Sequence, residues 1–228
     1  MKPATLLEQV KTRGGSTMSL VERDGEYAIR VDGRELMSTR HCFSEQQLGV
    51  VACQGRAERG GTRALIGGLG LGFTLRSALA TLGPDARVVV AELMPEVVAW
   101  NRNPAYPLGA DALADPRTEV VIGDVADLLV GSQPPFDAIM LDADNQTTAM
   151  NTAGNSSLYE RAGIAQVWRR LRPGGTVVYW SAGEDPILAA RLAKIGFVVE
   201  VRRVRKHPTA GGHHFLLVGQ RLIQPARR

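Results

Sequence analysis

The sequence predicts a doubly wound α/β fold, a mostly parallel sheet of about seven strands behind a small N-terminal β segment. Two observations carry this. From residue 62 onward, short and strongly apolar runs alternate with helical patterns: RALIG, ARVVVAE, TEVVIGD, FDAIMLD and GTVVYWS. Runs of that kind suit parallel strands buried on both faces. Before residue 62 the grammar differs. TMSLVERDGEYAIRVDGRELMS reads as two or three short strands turned at Asp24-Gly25 and Asp32-Gly33, because Asp-Gly tolerates the positive φ that tight hairpins require.

The remaining elements follow in order. Residues 4–12 are expected to form a short amphipathic helix ending at Gly14-Gly15. Ser44 and Gln47 make a capping-box pattern at the start of a helix whose apolar face holds Leu48, Val51 and Ala52. Arg59-Gly60-Gly61 reads as a linker. The chain therefore divides into an N-terminal segment, 1–58 (helix, β-hairpins and connecting helix), and the α/β domain, 59–228. In that domain Leu75, Leu79 and Leu82 mark one helix, and Val97, Val98 and Trp100 a second that begins at Pro95. A third runs near 159–171. Asp185-Pro186 opens a fourth and Gly196 closes it. GFVVEVRRVR and HHFLLVGQR read as paired strands, and no internal repeat is present.

Composition narrows the function classes. The 228 residues include only Cys42 and Cys53 as cysteines, with no CxxC spacing or His pair for zinc, so neither a disulfide framework nor a metal is expected. No signal core or bilayer-length apolar run is found, so a cytoplasmic protein with no membrane partner is expected. The net charge is +4. Its basic clusters, Arg202–Lys206 and Arg227–Arg228, read as solvated surface rather than a nucleic-acid stripe.

The stretch ALIGGLGLGFTLR, residues 64–76, is a glycine loop between a strand and a helix. A P-loop needs a lysine where Phe73 stands, and the dinucleotide pattern GxGxxG places its third glycine on Phe73 or Leu75. What remains is GxGxG at Gly68, Gly70 and Gly72, with Leu69 and Leu71 between them. This pattern resembles that of class I S-adenosylmethionine (SAM) enzymes. The alternative is a tight strand-to-helix turn serving only packing.

Three acids support the ligand. Glu92, followed by Leu93, ends the second parallel strand, where a carboxylate can accept from both ribose hydroxyls. Asp124 ends the third, with Val125 beside it, placed to receive an adenine amino group or simply to cap a helix. Asp142 ends the fourth. In doubly wound sheets ligands bind outside these carboxyl ends, so the expected ligand is an adenosine.

VDGRELMSTRHCFSEQQL, AELMPEVVAWNR, GDVADLL and FDAIMLDADN together resemble the spermidine synthase (polyamine aminopropyltransferase) superfamily over nearly the whole chain. The resemblance implies a transferase that uses decarboxylated SAM and a small amine, and a homodimer in which residues 16–40 pack between subunits or roof the site. The chain also departs from that family. Against the family's GGGDGG, Leu71 falls at the acid that helps hold the donor's amine, and Leu69 and Phe73 replace two glycines. Against DSSDP the chain has Asp142-Ala143-Asp144-Asn145, and the tyrosine the family has near the start of the second helix aligns with Ser44. An apolar Leu71 disfavours a bare ammonium, and the N–H groups near Gly72 suit the carboxylate of intact SAM. The expectation is therefore methyl or related alkyl transfer from SAM to an amine. Aminopropyl transfer from decarboxylated SAM, or a non-catalytic nucleoside-binding module, are the alternatives. A nicotinamide oxidoreductase lacks its fingerprint.

Asp142 and Asp144 are the candidate catalytic acids, binding the acceptor ammonium and taking its proton; the alternative for one of them is a cap on the segment that follows. Asn145, Tyr159 and Trp180 are candidates for the acceptor pocket, Trp180 being equally suited to the core. His41 is either a base or gate, or a surface-loop histidine. His213 and His214 receive no role. Asn103-Pro104-Ala105-Tyr106 resembles the NPPY motif of nucleic-acid methyltransferases but sits after the wrong strand, so it reads as a helix terminator and nucleic acid is not an expected partner.

Overall fold

The computed structural model describes residues 3–131, 134–142, 157–209 and 211–223. Four strands open the chain: β1 (Thr5–Lys11), β2 (Thr17–Arg23), β3 (Glu26–Val31) and β4 (Arg34–Ser38). They form one antiparallel sheet in chain order. Asp24 and Gly25 (φ 53° and 83°), like Asp32 and Gly33 (φ 49° and 79°), take the paired positive φ of tight hairpin turns. The helix expected over 4–12 is β1 instead. A bulge between Leu6 and Glu8 interrupts its pairing with β2. One extra residue breaks the period-two alternation, so Leu6, Leu7 and Val10 mimic helical spacing while Leu7 and Val10 pack on the core.

Helix α1 (Phe43–Cys53) follows. Its N-cap is Cys42, with no side-chain cap, and Ser44 lies inside the first turn. The capping box is not formed, because the Ser44 hydroxyl is engaged with Glu45 and His214. Helix α1 packs on α2 and β9 of the larger unit.

That unit comprises β5 (Arg63–Gly67), α2 (Phe73–Thr81), β6 (Arg87–Glu92), α3 (Pro95–Arg102), α4 (Ala110–Ala114), β7 (Thr118–Ile122), α5 (Val125–Val130), β8 (Phe136–Leu141), α6 (Arg161–Arg170), β9 (Leu171–Ser181), α7 (Pro186–Ile195), β10 (Val198–Arg205) and β11 (His213–Gln220). Its sheet runs β10-β11-β9-β8-β5-β6-β7. Only β11 is antiparallel to its neighbours. Strand alternation divides the interior into two cores. Ala64, Ile66, Val88, Val90, Ala138 and Met140 face one, and Leu65, Val89, Ala91, Ile139 and Leu141 face the other. Met18, Leu20, Ile29 and Val31 of the N-terminal sheet join the first core, which docks that sheet on the larger unit. Strand β7 departs from the expected burial on both faces, because it is the sheet's edge and leaves Ile122 48% exposed.

The helix signals act as read. Pro95 opens α3 and Asn103 ends it. Asp185 caps α7 by accepting from the Leu188 N–H at 2.8 Å, and Gly196 closes the helix at φ 118°. From β5 the chain steps outward to β6 and β7, then crosses back to β8 on the other side of β5. This reversal leaves a crevice at the carboxyl ends of β5 and β8.

Candidate active site

The crevice is built around the glycine loop. Gly68, Gly70 and Gly72 have φ of 100°, 53° and 82°, a region closed to most side chains. A Cβ on Gly68 would lie 3.2 Å from the Asp142 carbonyl oxygen, and one on Gly70 would lie 2.6 Å from the Met37 sulfur. The backbone thus approaches both β8 and the N-terminal sheet. Neighbours hold the loop: the Gly68 N–H donates to the Ala91 carbonyl at 2.9 Å, and Asn101 Nδ2 donates to the Gly70 carbonyl at 2.8 Å.

Glu92 is the central acid. It is only 6% exposed. Its Oε2 accepts from the Leu69 N–H at 2.9 Å and its Oε1 from the Met94 N–H at 2.8 Å. Burial pushes its carboxyl above the ordinary range, opposed by those N–H bonds. The Gly70 and Leu93 N–H groups also bear on the carboxylate, which borders the cavity of the crevice. Asp124 has two roles: it caps α5 by accepting from the Ala126 N–H at 2.9 Å, and it borders the same cavity.

That cavity measures about 420 Å³. Of the sequence candidates, Gly68, Gly70, Glu92, Leu93, Asp124, Val125, Asp142, His41 and Trp180 border it. Four other candidates do not. The side chains of Leu69 and Leu71 are 4% and 2% exposed and belong to the first core. Gly72 is the N-cap of α2, behind the cavity. Tyr159 is buried edge-to-face on Tyr179, with ring centroids 5.4 Å apart, in the second core. The alternation Gly-Leu-Gly-Leu-Gly explains the loop: Gly68 and Gly70 bring the backbone to the cavity while the leucines anchor it in the first core. Asp144 and Asn145 lie outside the described residues.

Residues that the sequence did not single out one by one complete the walls. Met18, Ile29, Glu35, Leu36, Met37 and Ser38 roof the cavity from the N-terminal sheet. His41 lies 3.9 Å from Glu35. On the far wall Glu45, Lys206 and His214 join Trp180. Burial pushes the Glu45 carboxyl up, opposed by the Ser44 hydroxyl and, more weakly, by Lys206. Burial, then Lys206 and His41, pull His214 down to about 4. Among the described residues no His, Cys, Asp and Glu cluster is arranged to hold a metal, and no helix is long and apolar enough to cross a membrane.

No protein-family model matches the chain. Over 125 residues, 55% of its length, it is 31% identical to a polyamine aminopropyltransferase of Synechococcus sp. (strain JA-3-3Ab). Over 170 residues it is 28% identical to one of Synechococcus sp. (strain JA-2-3B'a(2-13)). The alignments span 39% and 53% of those relatives, so the chain matches about half their length or less. Among solved structures it superposes on spermidine synthase in complex with the transition state analogue AdoDATO with a TM-score of 0.72, at 19% identity, covering 97% of this chain and 74% of that one. Spermidine synthase from Thermotoga maritima gives the same score at 18% identity and the same coverage. A precorrin-6y C5,15-methyltransferase from Geobacter metallireducens gives 0.55 at 16% identity, covering 77% of this chain and 87% of that one. The chain is thus spermidine synthase-like: similar in sequence to polyamine aminopropyltransferases, and built on the frame shared by spermidine synthase and class I SAM-dependent methyltransferases.

Proposed function

We propose that this chain is a transferase moving the aminopropyl group of decarboxylated SAM to a small amine. The observation that carries it is one roofed cavity onto which the glycine loop, Glu92, Asp124 and Asp142 all open, in a chain similar to polyamine aminopropyltransferases. In this reading Glu92 receives the ribose hydroxyls, and Asp124 with Val125 receives the adenine. The sulfonium then lies toward Gly68 and Asp142, and the acceptor lies toward Trp180. The amine lone pair attacks the methylene carbon beside sulfur. The C–N bond forms, the C–S bond breaks with its electron pair going to sulfur, and 5′-methylthioadenosine leaves. The protein's work is to align the amine and strip its water. Asp142 is placed to hold a cationic nitrogen there; Asp144 is the second acid of the proposal.

Methyl transfer was the expectation from Leu71 and Gly72. Neither borders the cavity, so neither discriminates between the donors, and the curated relatives are aminopropyltransferases. The test is a product screen by mass spectrometry, offering intact and decarboxylated SAM with a panel of amines. Methylthioadenosine and an aminopropylated amine are expected from the decarboxylated donor. S-adenosylhomocysteine from the intact donor alone overturns the proposal in favour of methyl transfer. Tight nucleoside binding with no product from either donor makes the chain a binding module.

The same proposal includes a homodimer through residues 16–40 and a cytoplasmic setting. Light scattering at micromolar concentration is expected to return twice the chain mass, and a monomer removes the dimer.

A further inference from the structure

Behind the far wall of the cavity lies a buried polar chain that the proposed function does not use. The Ser44 hydroxyl is inaccessible to solvent. It sits 2.5 Å from Glu45 Oε2 and 2.8 Å from His214 Nδ1. His214 and Glu45 both border the cavity, and the edge of Trp180 holds the imidazole, with centroids 4.4 Å apart at 66°. Residues 44 and 214 come from α1 and from the antiparallel strand β11.

A serine hydroxyl has one hydrogen, so this chain has two self-consistent states. When Ser44 donates to an ionised Glu45, it can only accept from His214 Nδ1–H, and Nε2 then carries a bare lone pair. When Ser44 donates to Nδ1, it accepts from a protonated Glu45, and Nε2 carries the hydrogen. Passing from the first state to the second takes one proton in at Nε2 and leaves one on Glu45. The ring and the hydroxyl both end neutral.

We propose that His214 accepts the proton released by the acceptor amine, and that Ser44 and Glu45 carry it away as a relay for a primary or secondary amine docked at His214 Nε2. This rests on the transferase reading above. After attack the new secondary or tertiary ammonium gives one hydrogen to Nε2, Nδ1–H passes to Ser44 and the Ser44 hydrogen passes to Glu45, so atoms and charge balance. The electrostatics run in the same direction. Burial lets Glu45 hold a proton, while burial together with Lys206 and His41 makes imidazolium unfavourable at His214. The other charged and titratable groups on the cavity walls are Lys206 after β10, His41 before α1, Glu35 on β4, Glu92 at the end of β6, Asp124 before α5 and Asp142 after β8. Lys206 opposes that burial only weakly; the bare-Nε2 state is the resting one in this proposal. His214 is the catalytic residue of this proposal; Ser44 and Glu45 are positioning residues.

The test combines a tautomer measurement with kinetics on the full chain. Nitrogen-15 spectra of the histidine rings at pH 8, assigned with His214→Gln, are expected to show His214 as the Nδ1–H tautomer, and Ser44→Ala is expected to abolish that preference. With saturating decarboxylated SAM and the acceptor found in the screen, His214→Gln and Glu45→Gln are each expected to lower kcat about 100-fold. The apparent KM for the donor should hold within about twofold. The deficit should shrink at high pH, where hydroxide can take the proton of the new ammonium in place of His214. Methylthioadenosine binding and the thermal midpoint of each variant control for folding. An Nε2–H tautomer in the wild type overturns the relay, as does an unchanged kcat or a deficit equal at every pH. A wild-type chain that turns over no amine with either donor fails the transferase reading, and the relay with it. A competent transferase indifferent to His214→Gln fails the relay alone.

Discussion

Glu92→Gln is expected to weaken binding of an adenosine nucleoside by about 100- to 10,000-fold. A hydrogen bond to a charged group contributes about 1.5–3 kcal/mol, and two ribose hydroxyls meet this carboxylate in the proposed pose. Their loss amounts to about 3–6 kcal/mol, at about 1.4 kcal/mol per factor of ten. Glutamine is the milder substitution: its one carbonyl oxygen keeps one of the Leu69 and Met94 N–H bonds that Glu92 accepts while its amide strands the other, so the thermal midpoint is read beside the affinity. Alanine strands both of these buried donors, each costing about 1–3 kcal/mol, and so mixes a folding defect into the binding loss. The pH dependence gives a second readout. The carboxyl is raised above its ordinary 4.5 by burial. Ribose recognition needs the ionised form, so affinity falls on acidification, beginning above pH 4.5. The contribution to folding has the opposite sign: a raised acid favours the folded state below its unfolded pKa and loses that contribution as pH rises through the folded value. Calorimetry with methylthioadenosine between about pH 4 and 8 measures the first effect. A Glu92→Gln protein that binds like wild type removes the adenosine site.

Leu71→Asp is expected to unfold the protein rather than change its donor. Leu71 is 2% exposed, within the first core. Truncating a buried leucine costs about 2–5 kcal/mol, and an unpaired buried carboxylate adds more. That approaches the whole stability of a typical domain, about 5–15 kcal/mol. For a chain of this size about 5 kcal/mol lowers the thermal midpoint by about 10–20 °C. Leu71→Met, which conserves volume, should cost less than about 1.5 kcal/mol. Thermal unfolding of both variants decides. An aspartate variant that melts like wild type and prefers decarboxylated SAM more strongly returns Leu71 to the cavity, and with it the case for a methyl donor in the wild type.

Glu92, Asp124 and Asp142 were legible for one reason. Each follows a run of buried apolar residues, and the end of a parallel strand is itself a sequence signal. Tyr159 was misplaced because an aromatic near a helix start reads alike in a pocket or a core. Here the edge of Tyr179 claims it. The 4–12 segment was misread because a single bulge between Leu6 and Glu8 converts alternation into a helical spacing.

By itself the sequence determined the doubly wound frame, the hairpin turns at Asp24 and Asp32, the glycine loop and the three strand-end acids. All of these are local: a period, a dihedral demand or a position after a run. The tertiary structure decided that Gly68 and Gly70 and not the leucines border the cavity, that Met37 lies over Gly70, and that Ser44, Glu45 and His214 make one buried chain. These depend on contacts between segments far apart in the chain. Nothing in the spacing of residues 44 and 214 anticipates a 2.8 Å contact. Only the packing of α1 on the sheet brings their polar atoms together.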